Sequence, residues 1–350
     1  MEGFELSDLV PGLPGEIGLE CLTRLPHPSH RVASWVCRCW HQLLESREFY
    51  HHRRHLGYTR KVACLVQALP RPAPPPEATA AGGGSKPTDS PGYAVTVFDP
   101  VGRAWERLDP VPGYPGGLPL FCQVAGCEGG KLVVMGGWDP ASYDPVTDVF
   151  LYDFASRRWR RCAPMPSKRS FFAVGSHGGR IYVAGGHDEN KNALRTAWAY
   201  DAWGDEWTEL PPMTRERDEC EGIVVGGEFW VVSGYRTDSQ GEFEGSAEAF
   251  AGGEWRLAEG VWEAGRCPRS SAGGFGSDGR IVSWADSDSR VQVGPSGVAV
   301  GDMTLVTGSE YQGAAQGFYV RAGQGGKFER VGDVPDGFGG FVQSGCCVEI

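Results

Sequence analysis

The sequence predicts an all-β propeller preceded by a small helical unit. Three observations lead there. A pattern recurs every 48 or 49 residues: Tyr152 and Tyr200 are 48 apart, as are successive members of Trp159, Trp207 and Trp255, and the doublets Gly136-Gly137 and Gly185-Gly186 are 49 apart. The composition suits many short strands and tight turns, with 52 glycines, 25 prolines and 12 tryptophans among 350 residues. Residues 13–44 differ from the rest, having no glycine doublet and apolar positions at helical spacing. These features divide the chain into residues 1–57, a helical domain with its connector, and residues 58–350, the propeller.

At the front, Pro14 suits the first turn of a helix. Ile17, Cys21, Leu22 and Leu25 follow at helical spacing, and Pro26 ends that helix. Ser29 is placed to cap a second helix, along which Val32, Val36, Trp40 and Leu43 share one face. Two helices this short cannot bury so much apolar surface between themselves, so part of the stripe is expected to dock on a partner, helix against helix. Cys37, Cys39, His41, His51, His52 and His55 raise a metal reading. Cys37 and Cys39 are spaced too closely for a zinc knuckle, and on a helix they point apart. The sequence predicts instead a buried Cys37 and a basic connector, HHRRH, with no metal or cofactor.

The order LP-x-E-I-x-L-x-C-L-x-R-LP from Leu13 to Pro26, followed by V-C-R-x-W from Val36 to Trp40, resembles the F-box. The resemblance covers about a tenth of the chain. It implies docking on the SKP-type adaptor of an SCF ubiquitin ligase, and through it on cullin. It also implies that Leu13, Pro14, Ile17, Leu22, Leu25, Pro26, Val36 and Trp40 form the docking and core positions. His30 departs from the pattern, standing where the family carries an apolar residue.

Beyond the helices, Lys61–Leu69 reads as a buried strand and residues 70–92 as a disordered excursion rich in Pro, Ala, Gly and Ser. Gly82-Gly83-Gly84-Ser85-Lys86 is not a phosphate loop, because Pro87 follows the lysine and no helix pattern follows Pro87. One repeat then reads as an apolar strand, a turn, an apolar strand ending in Gly-Gly, a long loop, a strand ending in aromatic-Asp, a short turn, and a strand opening on Trp. Four strands in about fifty residues make a propeller blade, and the glycine doublet resembles the kelch repeat. The pattern is strong from Gly129 to Trp255 and then decays. Arg280–Ala285 and Met303–Thr307 both read as second strands, which predicts a degenerate fifth blade and a partial sixth, with five blades as the alternative. The first blade lacks an innermost strand, and residues 338–350 can supply it, closing the ring and removing an exposed edge.

Antiparallel strands place the loops from second to third strand, and from one blade to the next, on a single face. Loops on a rigid scaffold commonly carry recognition. The candidate target contacts there are Trp138, Tyr143, Lys168, His187, Asn190, Lys191, Arg215, Tyr235 and Arg236. Arg169 and Arg217 recur with the repeat and are expected to be structural.

Charge and chemistry narrow the function. The net charge is −11. Eight basic residues stand against seven acidic ones up to Lys61, so the start is near +1 and the remainder near −12. An acidic propeller argues against nucleic acid as the ligand. No signal-peptide pattern or membrane-length apolar run occurs. Eleven scattered cysteines fit reduced thiols in cytoplasm or nucleus. After residue 55 only His177 and His187 remain, too few for a copper centre, and no nucleophile elbow is present, so the chain is expected to be non-catalytic. The F-box-then-kelch order resembles a plant group of ligase substrate receptors. The phrases GLECLTRLP, HRVASWVCRCWHQLL and GFVQSGCCVEI resemble those members that target phenylalanine ammonia-lyase and restrain phenylpropanoid synthesis.

Overall fold

The structure is a computed structural model that describes residues 9–70, 91–323 and 326–350. Most of the 70–92 excursion and the rejected phosphate-loop stretch lie outside the described residues. Four helices come first: α1 (Gly15–Thr23), α2 (His27–Ala33), α3 (Arg38–Leu44) and α4 (Arg47–His55). Pro14 and Pro26, with ψ near 140°, are the N-caps of α1 and α2.

The stripe from Val32 to Leu43 is therefore not one helix, and Ser29 lies inside α2 rather than capping it. The break has a local cause. The Ser34 hydroxyl donates to Arg31 O at 2.8 Å as α2 ends, and extended Cys37 starts α3 with its Sγ accepting from Trp40 N at 3.5 Å. Cys37 is exposed, not buried. HHRRH is not a connector but the second half of α4, which Ser46 caps through Phe49 N at 3.1 Å. Leu19, Leu22, Ala33, Leu43, Leu44 and Phe49 form the helical core. Arg53, also buried, donates to Thr23 O and Leu25 O at 3.2 Å and to Tyr58 O at 2.7 Å. It thus ties the end of α1 to the entry of the propeller.

The rest of the described residues form a β-propeller of six sheets, five with four strands and one with two. From the innermost strand outward, blade one is Val342–Glu349, Lys61–Ala68, Tyr93–Asp99 and Ala104–Arg107. Blade two is Gln123–Cys127, Lys131–Met135, Val149–Asp153 and Arg158–Arg161. Blade three is Ala173–His177, Arg180–Ala184, Ala197–Asp201 and Glu206–Leu210. Blade four is Glu221–Val225, Glu228–Val232, Ala247–Ala251 and Glu254–Ala258. The fifth sheet has only Ala272–Phe275 and Ile281–Ser283. The sixth is not partial: it has Val293–Val300, Met303–Ser309, Gly317–Ala322 and the two-residue Glu329–Arg330. Trp284 spans the thin fifth sector, packed so closely on Gly297 that a Cβ there would lie 2.3 Å from the indole.

The repeated aromatics work as cross-strand pairs. Phe98 faces Trp105, Tyr152 faces Trp159, Tyr200 faces Trp207 and Phe250 faces Trp255 in the strand register. Ring centroids are 4.4–5.1 Å apart, which adds packing between the outer strands. Three of these indoles also reach the connector from the preceding blade: Trp159 Nε1 donates to Asp109 O at 2.9 Å, Trp207 to Ala163 O at 3.1 Å and Trp255 to Pro211 O at 2.7 Å. The second glycine of each doublet is needed for two reasons. Gly137 and Gly186 have φ of 91° and 79°, and an added Cβ would meet Leu120 O at 2.5 Å or Ser170 O at 2.3 Å.

The helical unit rests on the propeller face that carries the short hairpin turns. Arg47 and Arg54 approach Glu128 at 3.6 and 3.7 Å, and Arg54 approaches Glu349 at 3.3 Å. Arg47 lies over the Trp203 ring at 5.1 Å, and His27 meets Phe154 edge-on at 6.3 Å.

Candidate functional site

The wide loops lie on the opposite face. Trp138, His187 and Tyr235 occupy equivalent places in blades two, three and four, each bridging to the strand-entry residue of its own blade: Leu120, Ser170 and Asp218. The first two reach sideways to the next blade, the third to the entry of its own. Trp138 Nε1 donates to Ser170 Oγ at 2.7 Å. His187 takes Ser170 Oγ on Nε2 at 2.8 Å and meets both Asp218 oxygens through Nδ1 at 2.9 Å. Tyr235 OH donates to Glu219 at 3.3 Å. A seam of hydrogen bonds thus crosses three blades.

Within that seam, Ser170, His187 and Asp218 have the connectivity of a nucleophile, a base and an orienting acid. All three are buried, and Ser170 Oγ is already held by Trp138 and His187, leaving no side open to a substrate carbonyl. The network acts as a strut. It was not legible in the chain order, since its members stand 17 and 31 residues apart.

The candidate contacts divide accordingly. His187 and Tyr235 are buried and Trp138 is half-buried, so these three shape the face instead of offering side chains to a partner. Arg215 and Arg236 are committed within the chain, meeting Glu244 at 2.9 and 3.1 Å, and Arg215 also meets Glu259 at 2.5 Å. Lys168 pairs with Glu189 at 3.3 Å. Tyr143, Asn190 and Lys191 are exposed at loop tips. Arg169 and Arg217 are buried, with Arg169 donating to Gly185 O and Thr196 O, and Arg217 to Ser233 O and Glu248.

At the centre of this face a cavity of about 350 Å³ opens into the channel, lined by Phe121, Phe171, Glu221, Arg269, Phe341 and Ser344 among others. Glu221 accepts the Ser270 N–H at 2.5 Å. Burial pushes its carboxyl from 4.5 up to about 7, against the opposing pull of that N–H and of Arg269. Arg269 lies over the Phe171 ring at 4.6 Å and approaches Glu219 at 3.3 Å. Arg269 Nε and Ser344 Oγ are buried without a hydrogen-bond partner among the described residues. In the sequence these positions carry no motif that sets them apart. In the fold, Phe121, Phe171, Glu219 and Ser270 stand at the entries of blades two to five with φ of 49–59°, spaced 50, 48 and 51 residues apart.

The helical unit offers a different surface. Leu22 is buried, and Leu25 and Trp40 pack on the helical core, Trp40 Nε1 donating to Leu9 O at 2.5 Å. These three belong to the helical core, Leu25 and Trp40 with part of each side chain still open. Leu13 (40 % exposed), Ile17 (50 %) and Val36 (62 %) stand open, as do Pro14 and Pro26. Val32 (64 %) and Trp35 (70 %) join them, and Trp35 was missed because it falls in the break between α2 and α3. His30 is buried, with Nε2 3.2 Å from Leu25 O, and burial beside Arg53 lowers its pKa to about 4. The departure from the family pattern is thus a core feature. Among the described residues no three His, Cys, Asp or Glu side chains gather to hold a metal ion.

Comparison with known proteins agrees with this architecture. The F-box domain model matches residues 11–52, and the Kelch motif model matches 123–166 and 168–214. The chain is 39 % identical over 305 residues to F-box/kelch-repeat protein At2g44130 of Arabidopsis thaliana, covering 80 % of this chain and 73 % of that one. It is 40 % identical over 287 residues to F-box/kelch-repeat protein SKIP20 of the same plant, covering 73 % and 67 %. With F-box/kelch-repeat protein At1g80440 it shares 38 % over 250 residues, covering 71 % and 68 %. An F-box-matching helical unit with open apolar residues, mounted on a propeller of kelch-type blades, places the chain in the family of F-box/kelch-repeat proteins.

Proposed function

We propose that this protein is the substrate-recognition subunit of an SCF ubiquitin ligase. The observation that carries the reading is the open apolar set Leu13, Ile17, Val32, Trp35 and Val36 on a unit that already has a closed core. Exposed apolar side chains in this number on a small helical unit mark a protein-binding surface. In this reading they dock on the SKP-type adaptor and through it on cullin. The propeller turns its wide-loop face away from the adaptor and holds a protein target for ubiquitination and proteasomal degradation. The chain supplies proximity and orientation and no bond chemistry of its own. It works in the cytoplasm, the nucleus or both.

The proposed target is phenylalanine ammonia-lyase, with lowered phenylpropanoid synthesis as the consequence. Support comes from the three phrases quoted above. One of them, GFVQSGCCVEI, includes Phe341, Gln343 and Ser344 of the cavity wall.

Purified adaptor tests the first step. The wild-type chain is expected to capture it, and a double variant, Ile17→Asp with Val36→Asp, is expected to lose it while the propeller keeps its unfolding midpoint. Failure of the folded wild type to capture adaptor would leave a kelch scaffold acting outside any ligase. For the target, deletion of residues 1–57 should trap the lyase without its degradation, and no association with purified lyase would remove it from the proposal.

A further inference from the structure

We infer that the cavity at the mouth of the channel is a socket for one basic side chain of the target, taking its aliphatic stem along Phe341 and its cationic head onto Glu221. This deepens, and rests on, the reading of the wide-loop face as the target-binding face.

Three features carry it. Among the described residues Glu221 forms no salt bridge, although Arg269 stands near enough to pull its pKa down against the effect of burial. The two arginines of the cavity wall have their nearest carboxylates elsewhere: Arg269 approaches Glu219 at 3.3 Å and lies over the Phe171 face, and Arg266 meets Asp286 at 2.9 and 3.0 Å and Glu263 at 3.1 Å. What Glu221 does receive is the Ser270 N–H at 2.5 Å. Its raised pKa, about 7, is the mark of a carboxylate short of compensation, and an entering cation would supply it.

Next, Ser344 Oγ is buried, lines the cavity and has no hydrogen-bond partner among the described residues. A hydroxyl in that position costs free energy until something occupies its lone pairs, and an ammonium or guanidinium N–H does so. Finally, the rim is apolar and open. Phe341 is 43 % exposed and lines the cavity with Phe121 and Phe171. Long basic side chains lay an aliphatic stem along such surfaces and keep the charge at the end. In or beside the wall, four carboxylates (Glu219, Glu221, Glu263 and Asp286) outnumber the two arginines Arg266 and Arg269, which disfavours an acidic side chain.

The test uses small mimics of the side chain on the full-length protein. Butylguanidinium and butylammonium are titrated to roughly 0.1 M, as suits weak fragments, alongside butyrate and pentanol. Amide shifts of Gly222 and Ser270 report occupancy. The cations are expected to give saturable shifts, with butyrate about tenfold weaker or silent. Glu221→Gln, which keeps the acceptor for Ser270, should weaken cation binding about tenfold and leave pentanol binding and the unfolding midpoint unchanged. The proposal is overturned if the cations give no saturable shift in folded wild type, if butyrate binds as well, or if Glu221→Gln binds the cations within about twofold. Adaptor capture is measured on the same samples. Cation binding in a chain that does not capture adaptor supports the socket outside a ligase. Adaptor capture without cation binding rejects the socket and leaves the receptor reading intact.

Discussion

Replacing Trp35 with alanine separates binding from folding in the helical unit. The ring is 70 % exposed, and it meets the Arg31 guanidinium at 5.6 Å. An exposed cation–π pair is worth about 0.5–1 kcal/mol, so the fold should lose no more than that. If Trp35 is buried by the adaptor, truncation should cost about 2–4 kcal/mol of binding, or roughly 30- to 1000-fold in Kd. Leu22→Ala is the contrasting control. Leu22 is buried in the helical core, and emptying such a site costs about 2–5 kcal/mol of folding. Titration calorimetry against purified adaptor gives the first quantity, and thermal unfolding of the helices gives the second. The reasoning is refuted if Trp35→Ala leaves the Kd within about twofold, or lowers the helical midpoint as far as Leu22→Ala does.

Two further expectations concern buried charge. His30 has a folded pKa of about 4, below its ordinary 6.5, so the unfolded chain binds the extra proton between those values. The helical unit should therefore keep this stability above pH 6.5 and lose it as pH falls toward 4, while a His30→Leu chain loses less over that window; equal pH profiles in thermal unfolding would rule this out. In blade four, Glu248 is fully buried, meeting Arg217 at 3.1 Å and the N–H groups of Thr214 and Arg215 at 2.7 and 3.2 Å. Glu248→Ala should cost about 3–5 kcal/mol by stranding Arg217, whereas Arg215→Ala, which breaks partly exposed pairs, should cost about 1 kcal/mol or less; comparable losses in chemical denaturation would contradict the distinction.

How much could be read from the chain follows from the range of the interactions. The blades were legible because strand pairing is local: the seven-residue gap from Tyr152 to Trp159 or Tyr200 to Trp207 is what register requires for facing rings. The fifth sheet was legible as a fault in spacing, though the sixth was underestimated because its outer strand is only two residues long. The break between α2 and α3 was not legible, since apolar spacing ran through it while Ser34 and Cys37 ended one helix and began another. The wide-loop face could be located, but its exposed and buried residues could not be told apart. His187 and Tyr235 look like loop residues in sequence, and only the folded chain, which brings Asp218 of the next blade to His187 and Glu219 at the entry of its own blade to Tyr235, shows that they are spoken for. The cavity lay beyond reach for the same reason, being lined from blades one to six at once.

The two faces are coupled through blade one, and the coupling does not rest on the surface ion pairs. Arg47 and Arg54 are about half exposed, and pairs of that kind contribute little each. The firmer links are buried or backbone. Arg53 joins Thr23, Leu25 and Tyr58 in one hub. Two residues beyond Tyr58, Arg60 and Ile350 exchange backbone hydrogen bonds at 2.8 Å in both directions. From there Lys61–Ala68 and Val342–Glu349 run side by side to the wide-loop face, eight residues each and so about 26 Å long. The second of these strands carries Ser344 at the cavity wall. A partner docked on the helices and a ligand seated in the cavity would therefore be joined by one strand pair whose ends are both fixed. A receptor working by proximity needs that property, because a loose joint would dilute the target among positions that the transferring enzyme cannot reach.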